Sequence, residues 1–229
     1  MHIALICKNI EPIKATLSQL LATGKPVVAL VSDLDTAARS AYVGIDDRAA
    51  GQLAGFLLGR CLERVPRAEV AVIVGCASYR CHEDREMGFR TLLRQRFPQI
   101  ELVEAIKGDE SPQATYEAAL GLLKKHPGIA GIYNVTGGNQ SLAQALVDSQ
   151  LSRRPLFIAH EVNEVTAPLL RAGVIDFLIT QKAESLMRKT RQVLIELRMG
   201  RSPVRELNQV PFEAITEFNL DVETGNLQV

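Results

Sequence analysis

Short apolar runs alternate with amphipathic stretches along the whole chain. His2 to Cys7 reads as a strand. Glu11 to Ala22 reads as a helix, with Ile13, Leu17, Leu20 and Leu21 on one face and Gly24 as its stop. Val27 to Val31 is a second strand. Asp46 to Arg64 is a helix with Asp46 placed to cap it and Leu53, Phe56, Leu57 and Leu62 as its apolar side. A strand at Val70 to Val74 follows, then a helix at Asp84 to Phe97 ended by Pro98, a strand at Ile100 to Ile106, and a helix at Pro112 to Lys125 with proline in its first turn. The second half repeats the theme. Strands are predicted at Ile129 to Tyr133, Leu156 to Ala159 and Val174 to Ile179, and helices at Gln140 to Ser149, Val165 to Arg171 and Ala183 to Met199. A last extended piece lies near Val210 to Phe218.

Strict alternation of strand and helix predicts an α/β fold, with parallel sheets covered by helices on both faces. Ligands of such folds sit at the carboxyl ends of the strands. The residues just after the predicted strands are Asp33, Ile45 to Asp47, Ser78 to Arg85, Asn134 to Asn139, His160 to Asn163 and Gln181. They are rich in amides, carboxylates and arginine, the groups that hydrogen-bond a polar ligand.

Composition narrows the function. Hydrophobic residues make up 47% of the 229 and charged residues 23%, as in a globular protein with sizeable cores. The formal net charge is zero, so bulk electrostatics give these residues no reason to hold DNA or an anionic membrane. No apolar run approaches the ~18 residues of a membrane helix. The four cysteines, Cys7, Cys61, Cys76 and Cys81, form no C-x-x-C pair and read as reduced thiols of a cytoplasmic protein. Neither a metal nor a cofactor is expected: the His160–Glu161 pair is too small a ligand set for zinc. No G-x-S-x-G, Walker loop or G-x-G-x-x-G follows a strand, so an enzyme is not expected.

Five segments, in order and in register, resemble the LacI/GalR regulators and the periplasmic sugar-binding proteins. Val43-Gly44-Ile45-Asp46-Asp47-Arg48-Ala49-Ala50-Gly51 resembles their V-x-x-D-N-x-x-A-G stretch, and Arg85-Glu86-Met87-Gly88-Phe89 their R-x-x-G-F element. Tyr133 to Ala145 has the placing of their x-N-D-x-x-A-x-G-A turn. Ile158-Ala159-His160-Glu161 sits where they carry V-G-x-D, and Leu178-Ile179-Thr180-Gln181 where they have T-I-x-Q. The resemblance implies a type I periplasmic-binding-protein fold of two Rossmann-like lobes with parallel sheets. It would assign 1–43 and 182–201 to a partial N-terminal lobe, and 44–181 and 202–229 to a C-terminal lobe. It also implies that the rest of the N-terminal lobe lies outside this sequence.

The resemblance names the candidate ligand-binding residues. Arg85 would donate paired hydrogen bonds to hydroxyls or a carboxylate, because its donors form a fixed fork; its other reading is a surface arginine at a helix start. Asn139 stands where the family has Asp, and it either meets a hydroxyl-bearing ligand or caps the helix at Gln140. Glu161 replaces the family's Asp with a longer side chain. Gln181 matches a family ligand contact. Asp33 follows Pro26-Val27-Val28 less closely than the family's Asp follows its P-V-V-x-x, because Val31 and Ser32 intervene. Tyr133 either stacks on a sugar ring or packs in the core. The implied function is the effector-sensing domain of a LacI-type transcriptional regulator that binds a sugar or polyol between its lobes. Its partners would be a second copy, forming a homodimer, and operator DNA, reached through a helix-turn-helix outside this sequence. The alternative is the solute-binding protein of a sugar ABC transporter.

Overall fold

The computed structural model describes residues 2–75, 78–107, 111–201 and 208–220. In chain order these form β1 (Ile3–Leu5), α1 (Glu11–Ala22), β2 (Val27–Leu30), β3 (Ala41–Val43), α2 (Asp47–Cys61), β4 (Glu69–Val74), α3 (Arg80–Arg96) and β5 (Glu101–Lys107). There follow α4 (Pro112–Lys125), β6 (Gly131–Asn134), α5 (Asn139–Asp148), β7 (Leu156–His160), α6 (Thr166–Arg171), β8 (Phe177–Gln181), α7 (Ala183–Arg198) and β9 (Phe212–Ile215). The α/β fold with parallel sheets is therefore observed. The chain divides into two compact units, one of residues 1–47, 77–83 and 181–212, the other of 48–76, 84–180 and 213–229.

The first unit holds a parallel sheet in the order β1-β2-β3. All four residues of β2 are buried, as expected for a parallel strand covered on both faces. Leu17 of α1 packs with Val27, Ala29, Leu34, Ala38 and Tyr42 to make its core, and α7 packs on β2 and β3. Strand β3 has no sequence prediction. Three residues are too few to show a period, and its pairing with β2, from Val28↔Ala41 to Leu30↔Val43, defines it.

The second unit holds a sheet in the order β5-β4-β6-β7-β8-β9, with the first five strands parallel. Its core joins Ala71, Ile132, Phe157 and Leu178 of the strands to Leu122 and Leu123 of α4 and Leu142 and Leu146 of α5. From β4 the chain moves to β5 on one side, then returns to β6 on the other. The carboxyl ends of strands at such a reversal are where α/β folds receive ligands. Helix α3 leaves that end one turn before its predicted start at Asp84, because the backbone already turns at Tyr79, whose carbonyl accepts the His82 amide at 3.1 Å.

Candidate functional site

Arg85 lies early in α3, and its place is set by helix packing. Gly51 of α2 and Gly88 of α3 each lie against the facing helix backbone. A Cβ on Gly51 would strike the Arg85 carbonyl, and one on Gly88 the Arg48 carbonyl. With both glycines present, α3 sits close enough to α2 to bury the Arg85 side chain to 4% exposure. Its guanidinium donates to the Val135 carbonyl at 3.4 Å and faces Glu161 Oε1 at 3.8 Å. The surface alternative for Arg85 is thereby excluded.

The turn after β6 is organised by Asn134, the first of the polar residues that follow the predicted strand. Fully buried, it donates to the Gly137 carbonyl at 2.9 Å and to Asn139 Oδ1 at 2.8 Å, and it accepts the Thr136 amide at 3.2 Å. An asparagine at a strand end before Thr-Gly-Gly was the available signal. Asn139 is not a helix cap. The cap position belongs to Gly138, whose left-handed φ of 74° suits glycine, and no side chain caps the helix there. Asn139 is instead the first residue of α5, nearly buried, with its carbonyl oxygen held by Asn134. It borders a hollow of about 710 Å3 lined also by Pro112, Gly137 and Val162 to Thr166.

Tyr133 is fully buried in β6, its ring centroid 4.7 Å from that of Phe89 and its hydroxyl 2.7 Å from His160 Nε2. Of its two readings, core packing describes its position. Glu161, directly after β7, has a left-handed backbone with φ 62°. Its amide donates to the Ile179 carbonyl at 3.0 Å, and its carbonyl accepts the Thr166 hydroxyl at 2.6 Å.

In the first unit, Asp33 is engaged locally. Both of its carboxylate oxygens accept from Arg39, and one also accepts the Leu34 amide at 2.8 Å. Just before it, Val31 has φ 62°, and the Ser32 amide donates to the Leu30 carbonyl at 2.6 Å, a tight γ-turn rarely tolerated by a β-branched residue. Tyr42 closes this end of the sheet, its hydroxyl lying 3.0 Å from the Val31 carbonyl and 3.3 Å from Asp47 Oδ2. Burial first, then the Asp47 and Asp33 carboxylates, raise the Tyr42 hydroxyl far above its ordinary pKa. Gln181 ends β8 and is buried to 9% exposure. Each unit thus places a strained non-glycine residue directly after a strand, beside its candidate polar groups.

The larger sheet thus gathers amide, guanidinium and carboxylate groups at its strand ends, where α/β folds hold small molecules. Residues 3–202 match the family described as periplasmic binding protein domain, and the chain belongs to that family. No curated protein matches the sequence. The fold resembles GanP, a glucose-galactose binding protein from Geobacillus stearothermophilus, at TM-score 0.84 and 24% identity over 96% of this chain and 77% of that one. It also resembles the periplasmic component of an ABC-type sugar transport system from Hahella chejuensis, at TM-score 0.82 and 26% identity over 93% and 78%. A sugar-binding protein of a sugar ABC transporter from Bacillus halodurans gives TM-score 0.80 and 21% identity over 93% and 76%. These neighbours establish the type I periplasmic-binding-protein fold. Among the described residues no helix is long and apolar enough to cross a membrane.

Proposed function

We propose that the chain is a binding domain for a small sugar or polyol, held at the carboxyl ends of its parallel strands. The observation that carries this is the buried Arg85 guanidinium facing Glu161 at the carboxyl ends of the strands. The pair offers hydrogen-bond donors and an acceptor in one place, which suits hydroxyl groups. The fold neighbours, named as sugar-binding proteins, support the same ligand class and favour the solute-binding role of a sugar transporter.

A second reading, a cytoplasmic LacI-type regulator acting as a homodimer on operator DNA, is favoured by the thiols. Among the described residues, Cys7 and Cys61 are free thiols, whereas proteins of oxidising compartments tend to pair their cysteines. Burial pushes the Cys7 and Cys61 thiols above their ordinary pKa.

Titration calorimetry with pentoses, hexoses and polyols tests the domain's function. Arg85→Ala should weaken the best ligand about 100-fold, the equivalent of roughly 2–3 kcal/mol for lost charge-assisted hydrogen bonds. Asn139→Ala, Gln181→Ala and Asp33→Ala in the same assay assign the remaining contacts. Binding by Arg85→Ala equal to the unmodified protein would refute the site. A gel shift of the full gene product on its own upstream DNA, with and without the bound sugar, separates regulator from transporter component.

A further inference from the structure

Helix α7 turns one side to the sheet of its own unit and leaves another open. Leu186, Thr190 and Val193 are its buried residues, and it packs on β2 and β3. On the far side Glu184, Met187, Arg191, Ile195 and Arg198 are all exposed. Met187 and Ile195 are 51% and 42% exposed. One such residue needs no explanation, whereas large apolar side chains together on one helix face mark an interaction surface. At about 100° per residue, all these positions fall within about 40° of Arg191 and so form one narrow row. Two hollows flank it, of about 470 Å3 on the side of His2 and Leu194 and about 400 Å3 on the side of Gln192 and Glu196. The row is a ridge between two grooves, the form in which helices pack on one another.

Along the row the order is acid, apolar, arginine, apolar, base. The spacings are three, four, four and three residues, the same from either end. A row of that symmetry is complementary to itself when a second copy crosses it antiparallel. Centred on Arg191, Glu184 meets Arg198 of the other copy and Met187 meets Ile195, each contact occurring twice. At ~1.5 Å rise per residue, Glu184 and Arg198 both lie about 10 Å from Arg191 along the axis, so the opposite charges come level. Among the described residues Arg191 and Arg198 form no ion pair. Glu184 pairs with Arg188 at 2.5 Å, and its side chain is 83% exposed, open to a second cation. A patch that meets itself in this way is the isologous form of a two-fold dimer.

We propose that α7 is an interface between two copies of this chain, paired antiparallel about a two-fold axis at Arg191. The inference is independent of the ligand held at the strand ends and of the choice between transporter component and regulator. A single helix pair is a small interface, and the two Arg191 guanidiniums oppose each other at the axis, so the dimer is a weak one.

Sedimentation velocity from about 5 to 500 μM tests it, with melting temperatures to establish that each variant is folded. The unmodified protein should pass from monomer to dimer within that range. Glu184→Arg sets arginine against Arg198, and Arg198→Glu sets glutamate against Glu184. Each variant alone should dimerise about tenfold or more weakly. An equimolar mixture of the two restores both opposite-charge contacts and should dimerise as the unmodified protein does. Arg191→Leu removes the opposed charges and should dimerise more tightly. A protein that stays monomeric throughout, as it would if a different polypeptide covers this face, overturns the inference. So does a dimer indifferent to either charge reversal, or one that mixing the two variants does not restore. None of these results bears on sugar binding, which all three variants should keep in calorimetry.

Discussion

Replacing Gly51 by alanine probes the packing that seats Arg85. The added methyl would fall on the carbonyl of Arg85, and at Gly88 it would fall on the carbonyl of Arg48. The obstacle in each case is backbone, which cannot swing aside as a side chain can. α2 and α3 must therefore part by about 1.5 Å before contacts near ~3.5 Å are restored, since a Cβ would lie 2.0 Å from the carbonyl oxygen. Overpacking of this kind costs about 1–3 kcal/mol, and a backbone obstacle belongs at the upper end. Alanine's better helix propensity returns about 1 kcal/mol. The net loss is about 2 kcal/mol, or roughly 4–8 °C in melting temperature for a chain of this size. The carbonyl that is displaced belongs to Arg85 itself, so sugar affinity should fall with stability. Gly121 supplies the control. It is exposed in α4, with no atom within 4 Å of the place a Cβ would take, and Gly121→Ala should stabilise by about 0.5–1 kcal/mol. Urea unfolding and calorimetry on the three variants suffice. A Gly51→Ala protein as stable as the Gly121→Ala protein, with unchanged affinity, would refute the close-packing argument.

Two further predictions concern stability. The folded pKa of Tyr42 lies above its unfolded value, so its contribution is complete below about pH 10 and is lost as pH rises beyond that; Tyr42→Phe should flatten the fall of stability above about pH 10, measured by urea midpoints across an alkaline series. Ser111 caps α4 by accepting the Ala114 amide at 3.2 Å, and Ser111→Ala should cost about 1 kcal/mol in urea unfolding, with sugar affinity retained.

The order of strands and helices was legible in the sequence because each buried parallel strand must be a continuous apolar run and each covering helix an amphipathic one. The Val-Val-Ala-Leu of β2 and the Leu17 face of α1 show this directly. The polar residues at the strand ends were legible too, since a parallel sheet places its loops there. The partners of those residues were not. Asn139 seats against Asn134 and not as a cap, since Gly138 takes the left-handed cap position. Tyr133 turns into the core because Phe89 and His160, far away in sequence, make a closed polar and aromatic contact for it.

Sequence alone determined that the chain would form parallel sheets covered by helices, because local periodicity and burial on both faces leave little choice. It also determined which residue types would gather at the carboxyl ends of the strands. Only the tertiary structure decided that Arg85 faces Glu161 and that Glu161 takes a left-handed backbone. That pairing depends on two glycines on separate helices and on hydroxyls from α6 and β8. Contacts between residues tens of positions apart have no local signature, because the energy that fixes them exists only once the sheet has assembled.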